Sequence, residues 1–188
     1  MMPWAIGFAA CLVILPLWGV ALYNGLVRVR NACDESWSDV DTELKRRYDL
    51  IPRLVEVVRA YAAHEAAVLA EVVAARQVAV GSAGSPTHQA RDENQLVDRL
   101  RCLLATVESY PELKANGPFQ RLMAELSETE DRIQAARRFY NANVRDLANR
   151  CGTIPTSLVA ALGGFAPREY FQIEAVQRSA PRVALDRG

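Results

Sequence analysis

Metal-binding and redox side chains are scarce in this chain, which has two histidines and four cysteines among 188 residues. Cys11, Cys33, Cys102 and Cys151 are widely spaced and form no Cys-x-x-Cys pair, which argues against a zinc site or a disulfide framework. Neither His64 nor His88 has a glutamate three positions before it, since Tyr61 and Ser85 stand there. The paired Glu-x-x-His motif of a di-metal bundle is therefore missing. "HEAAV" at His64 to Val68 also lacks the second histidine of a zinc-protease helix. There is no Gly-x-Ser-x-Gly, and no glycine-rich nucleotide-binding segment to support reading "HEAAVL" as a kinase phosphoacceptor. Accordingly no catalytic, cofactor-binding or metal-ligating residue is assigned, and the expectation is a protein that is not an enzyme. Charge of either sign is not in excess, with 22 basic and 22 acidic side chains, so nucleic acid is not an expected partner. Convincing strand alternation is absent as well.

The most informative absence is local. No charged side chain occurs from Met1 to Val27, and Trp4 to Tyr23 supplies 20 mostly apolar residues, about 30 Å as a helix, which matches a bilayer core. A cleaved signal peptide is the rival reading. It is disfavoured because no Lys or Arg precedes the stretch, the stretch is long, and no persuasive small-residue cleavage site follows it. "FAAC" at Cys11 does not read as a lipoprotein signal, because most of the apolar run follows the cysteine. Pro16 is tolerable inside a membrane helix. Arg28 and Arg30 follow directly, so the positive-inside rule places the remainder of the chain in the cytoplasm.

Beyond this anchor, expected over residues 1–27, apolar side chains recur at steps of three and four. One seam runs through Trp37, Val40, Leu44, Tyr48, Ile51, Val55, Val58 and Ala62, then Leu69 and Val73. A second passes through Leu96, Leu100, Leu103 and Val107, and a third through Phe119, Leu122, Leu126, Thr129, Ile133, Ala136, Tyr140, Val144, Leu147 and Cys151. "GSAGSP" at Gly81 to Pro86 separates the first two, with Ser85 as cap and Pro86 as first helical residue. "YPELKANGPF" at Tyr110 to Phe119 separates the next two, as a full reversal or as a kink. "CGTIP" ends the third helix, with Gly152 expected as a left-handed cap. The resulting fold class is all-α: a transmembrane helix followed by an antiparallel up-and-down bundle of three long helices and a short fourth from "TSLVAALGGF". The bundle spans 28–171, and a weakly ordered tail covers 172–188.

Two arginine and tyrosine clusters stand out. "KRRYD" carries Arg46, Arg47, Tyr48 and Asp49, and "ARRFY" carries Arg137, Arg138 and Tyr140. Both are read as interhelical packing or as a ligand-binding group, with guanidinium groups stacking on tyrosine or bridging acids. Pro52 lies within the first seam without changing its register, so a kinked but continuous helix is expected there. "ELSETEDR" at Glu125 to Arg132 is read as a wet helix face. Ile154 to Phe171 has no charge before Arg168. Its Leu158, Val159, Leu162 and Phe165 either cap the bundle or form an apolar docking surface for a membrane protein or lipid.

These segments resemble the LemA family. The likeness rests on "YNGLVRVRN" (23–31), "SWSDVDTELKRRYDLIPRLVEVVRAYAAHE" (36–65), "LLATVESYPELKAN" (103–116), "LSETEDRIQAARRFYNANVRDL" (126–147) and "FAPREYF" (165–171). It implies a bacterial membrane protein with one N-terminal span and a helical bundle, and it carries over no catalytic residue. Gly117, Pro118, Cys33 and Cys151 depart from the family pattern. The expected role is that of a membrane-anchored scaffold or interaction protein, with the bilayer and another envelope protein as partners and a homo-oligomer compatible with it. A sensory bundle that relays a signal by helix shifts, and an enzyme using the Arg/Tyr clusters with nearby acids, are the alternatives.

Overall fold

The computed structural model describes residues 3–82, 84–173 and 176, with side chains from Leu12 onward. Six helices follow one another: α1 (Pro3–Tyr61), α2 (Ala66–Val80), α3 (Pro86–Val107), α4 (Pro111–Ala115), α5 (Gly117–Gly152) and α6 (Thr156–Leu162). No strand occurs among the described residues, as the all-α reading expects. Most of the expected 172–188 tail lies outside the described residues.

The chain divides into two units, residues 1–40 with 136–170 and residues 41–135 with 171–188. Helices α1 and α5 contribute to both. In the first unit the α1 seam is Leu26, Cys33, Ser36 and Val40, all buried, and the α5 seam is Tyr140, Val144 and Leu147. Asn143 Nδ2 donates to Ala32 O at 3.2 Å and to Ser36 Oγ at 3.1 Å. The Trp37 and Tyr140 rings lie 5.0 Å apart. Seven residues further along α5, Arg150 Nη1 sits 3.4 Å from where a Cβ on Gly25 would be. Going from Asn143 to Arg150 on α5 therefore matches going from Ala32 back to Gly25 on α1, which makes the two helices antiparallel and in step. Leu26 is already core, so α1 passes through the expected 27/28 boundary with no change of structure.

The second unit contains four antiparallel arms. The end of α1 reverses at a 3-10 turn, Ala63–Glu65, into α2. Helix α3 returns beside α2, and the α4 segment reverses the chain into α5. That 108–116 is a full reversal follows from Arg47, which bonds to Glu93 on α3 and to Glu130 on α5. A mere kink would leave those two acids about 55 Å apart along one helix. Leu44, Ile51, Val58, Leu69, Val72, Leu96, Leu100, Leu103, Leu113 and Ile133 form the core. Phe171 and Ile173 are buried in this unit too, with Gln172 O accepting from Asn94 Nδ2 at 3.4 Å. Gln172 and Ile173, placed in the tail by the sequence reading, thus pack into this unit.

Three local details refine the sequence reading. The first seam does not stay on one helix through Val73. Ala62, with φ −126° and ψ 53°, leaves the helix, and the chain turns back on itself. Alanine is an excellent helix former, so packing of the two arms overrides propensity there. Tyr61 and Glu65 secure the turn: the Tyr61 hydroxyl accepts from Asn116 Nδ2 at 2.9 Å, and Tyr110 donates to Glu65 Oε1 at 3.0 Å. Ser85 Oγ accepts from His88 N ahead of Pro86 as the sequence leads one to expect, and Asn116 Oδ1, a cap not foreseen, accepts from Phe119 N ahead of Gly117 and Pro118. The cap expected at Gly152 is corrected: Gly152 is the last residue of α5 and has no positive φ, which occurs only at Gly164 (φ 68°) among the described glycines. There Phe165 N bonds back to Ala160 O at 2.9 Å, a left-handed closure of α6.

Candidate functional sites: a buried charge cluster and an exposed apolar ridge

The stretch Arg46 to Val55 begins as one helix surface and divides by burial. Residues three and four apart on a helix share a face, so Leu44, Arg47, Tyr48 and Ile51 all turn inward. Arg47 is fully buried, Tyr48 nearly so, while Arg46 and Asp49 are exposed. Arg46 makes a 3.7 Å surface pair with Glu43.

Arg47 stands between two acids. Nη1 donates to Glu130 Oε1 at 2.9 Å and Nη2 to Glu93 Oε2, and the Tyr48 hydroxyl donates to Glu93 Oε1. Glu93 is fully buried and Glu130 is 6 % exposed, so the cluster is shut away from water. One guanidinium cannot neutralise two carboxylates. Burial pushes Glu93 above the usual carboxylate range, against the pull of Arg47 and Tyr48. Burial also works against the Arg47 charge, but Glu130 and Glu93 outweigh it and hold the guanidinium above its usual range. The Tyr48 phenol is raised by burial and then by Glu93. Glu130 Oε2 and Arg47 Nε have no hydrogen-bond partner among the described residues.

Pro52 sits on the exposed side of this same turn and has no N–H to give to Tyr48 O, four residues back. Arg76 Nε on α2 donates to that carbonyl at 2.6 Å instead. The helix therefore runs unbroken through the proline because a neighbouring arm satisfies the freed acceptor.

The second cluster belongs to the first unit. Tyr140 is buried, donates to Glu169 O at 3.0 Å, and has its phenol pushed up to about 12, chiefly by burial. Arg137 is half-buried and Arg138 is exposed, as is Phe139. The two Arg/Tyr clusters thus lie in different units, each with partners of its own. Burial pushes the Cys33 thiol up, in keeping with a small core side chain.

Of the apolar segment, Leu158 and Leu162 are 63 % and 91 % exposed and stand one turn apart on α6, with Ile154, 78 % exposed, just before them. Val159 and Phe165 are half-buried. Phe165 packs edge-on against Tyr23 at 5.5 Å, with the Arg30 guanidinium 5.1 Å above its ring.

At the other extreme of burial, Leu12, Val13, Ile14, Leu15, Leu17, Trp18 and Val20 are all at least half exposed. A stretch apolar on every face, in a helix long enough to cross a membrane, is what a bilayer-spanning segment looks like.

Sequence reasoning missed Glu93 and Glu130. Glu93 lies three residues before Leu96, and Glu130 three before Ile133, so both are in phase with apolar seams. An arginine equally in phase, Arg47, was the signal that buried acids had to exist elsewhere.

Fold and sites together define an all-helical protein in which an exposed apolar N-terminal helix continues into a bundle that encloses an ionic cluster. Comparison with known sequences gives it a family: residues 36–185 match the LemA family, and the chain belongs to it. Among curated proteins it is similar to magnetosome proteins MamQ 1 and MamQ 2 of Paramagnetospirillum magneticum, each 36 % identical over 70 residues, covering 37 % of this chain and 26 % of theirs. It is also similar to magnetosome protein MamQ of Magnetospirillum gryphiswaldense, 24 % identical over 174 residues, covering 79 % of this chain and 64 % of that protein. The matches span less than two thirds of each relative's length. Family and apolar helix together point to a membrane-associated protein.

Proposed function

We propose that the chain is a single-pass membrane protein whose helical bundle serves as an interaction platform on the cytoplasmic side of a bacterial inner membrane. The observation that carries this reading is the continuity of α1: a segment exposing apolar side chains from Leu12 to Tyr23 runs without interruption into the helix that forms the bundle core. Arg28 and Arg30, the first charges after the span, favour the cytoplasmic placement. Here the Arg47–Glu93–Glu130–Tyr48 cluster holds helices in one register and performs no reaction. Buried ionic groups are suited to that role, since only one alignment of the arms satisfies them. The partner is another membrane or envelope protein.

A sensory relay is the second reading, favoured by one feature: the span and Arg47 of the ionic cluster belong to the same 59-residue helix. Cross-linking between α1 and α5 that changes register on stimulation supports the relay, and an invariant register supports the platform.

Reporter fusions at both ends test the placement. A C-terminal phosphatase reporter, active only outside the cytoplasm, is expected to be silent, and a C-terminal fluorescent reporter bright. An active phosphatase reverses the orientation.

A further inference from the structure

We infer that the ridge of Ile154, Leu158 and Leu162 is a second membrane contact, seated in the lipid interface beside the point where α1 leaves the bilayer. The inference rests on the anchor reading above and adds a lipid-binding surface in the folded domain.

The argument begins with register. Because α1 and α5 are antiparallel and in step, with Asn143 at Ala32 and Arg150 at Gly25, α5 ends at Gly152 opposite the start of the uncharged segment. Another turn of α5 would carry it alongside the span. The chain turns aside instead, and the residues from Cys151 to Pro167 contain no charge.

The turned segment is then fastened to the interfacial end of the span. Phe165 meets Tyr23 edge-on at 5.5 Å, and Gly163 lies so near that a Cβ there would be 3.1 Å from Tyr23 Cε2 and 2.7 Å from Phe165 Cε2. Tyrosine is enriched at the headgroup level, so α6 is held at that depth. Its outward side chains are Leu158 and Leu162, joined by Ile154, among the most exposed large apolar residues outside the span.

Charge agrees with this setting. Arg28 and Arg30 precede the domain on α1, while Arg150 and Arg168 flank the uncharged segment on either side. Arg30 lies over the Phe165 ring, 5.1 Å from its centre. Arg150 pairs with Asp146 at 3.2 Å and Arg168 with Asp34 at 2.6 Å, which leaves Arg28 and Arg30 as the cations suited to anionic headgroups, with leucine side chains entering the boundary between headgroup and acyl chain. A lipid surface fits each element of this arrangement: its depth, its lack of charge, its exposed leucines and Arg30 over the Phe165 ring.

The test uses the full chain reconstituted in phosphatidylcholine and phosphatidylglycerol vesicles that contain a phospholipid with a diazirine in the upper acyl chain. After photolysis, adducts are mapped by peptide mass spectrometry, with a water-borne carbene probe run in parallel. Lipid adducts are expected on 12–23 and on 154–165, and none on the exposed side chains of Glu125, Ser127 and Glu128. The L158D/L162D variant should lose the adducts on 154–165 and keep those on 12–23. Both leucines are exposed, so the fold is expected to survive, and unchanged helicity by circular dichroism verifies it. Lipid adducts on 12–23 alone in the unaltered chain overturn the inference while leaving the anchor intact. Protection of 154–165 from the aqueous probe without lipid adducts means that protein, including a second copy of the chain, covers the ridge, and also overturns it. Absence of adducts on 12–23 overturns the anchor reading itself.

Discussion

The two units of this chain use the same two helices and hold them in different ways. Where α1 meets α5 over 24–40 and 136–152, the buried side chains are uncharged: Cys33, Val40, Val144 and Leu147 with a Trp37–Tyr140 ring contact and a serine bonded to Asn143. Where four arms meet over 41–135, the joint contains a buried guanidinium, two carboxylates and a phenol. Two helices need only a seam, whereas four arms joined by three short reversals have many near-equivalent alignments. Charged partners that must find each other remove most of them, since a slipped register leaves a buried ion unpaired.

The sharpest way to break the comparison is to remove the ion that serves both acids. Arg47→Met should destabilise the protein by about 3–5 kcal/mol, because Glu93 and Glu130 are left buried without a cation. Denaturant unfolding in mild detergent, followed by circular dichroism, measures it. Hydrogen exchange should locate the first loss of protection in 41–135, and uniform loss across both units would erase the distinction.

The same cluster gives unit two its own pH response. Glu93 titrates above its unfolded value of 4.5, so the folded state holds a proton that the unfolded state has released. Its contribution is fully present below the unfolded pKa and is lost as pH rises through the folded pKa. The stability of the unaltered chain relative to Glu93→Gln, which does not titrate, should therefore grow as pH falls from neutrality toward 4.5. A difference independent of pH would mean that Glu93 keeps an ordinary pKa.

A smaller effect is expected where Arg76 replaces the hydrogen bond that Pro52 cannot make. Arg76→Leu should cost about 1–3 kcal/mol by stranding the Tyr48 carbonyl. In a Pro52→Ala background the helix supplies its own N–H, and the same change should cost clearly less. Equal costs in the two backgrounds would show that Arg76 acts elsewhere. The least effect belongs to the joint of unit one: Tyr140→Phe removes one hydrogen bond to Glu169 O, worth about 0.5–1.5 kcal/mol, and should leave the pH response of unit two unchanged.

Much of this organisation is legible in the sequence. The uncharged run at the N-terminus, the seams at steps of three and four, the cap at Ser85, and the persistence of the helix through Pro52 all follow from local rules. The reversal at Ala62 does not, because "YAAHE" has no breaker and every residue in it is compatible with a helix. Pairing of the arms decides it, through contacts such as Tyr61–Asn116 that join residues far apart in sequence. The ionic cluster was half legible. Arg47 and Tyr48 stand out in the sequence as an unusual pair, but Glu130 is hidden in "ELSETEDR", read as a wet face, although it is buried beside Thr129 of the third seam. A charged residue in phase with an apolar seam is the signal to look for, and its partner is found only by folding the chain. Gly152 shows the same limit at a helix end: glycine permits a left-handed cap, and the chain uses that freedom at Gly164 instead.

Alkaline carbonate extraction of membranes from cells making the full chain, compared with a version beginning at Asn24 that keeps the buried Leu26, tests the central claim most directly. The full chain should stay with the membrane pellet and the shortened one should release into the supernatant with its helices intact. Release of the full chain by carbonate would contradict the account, because it would show that residues 4–23 do not cross the bilayer.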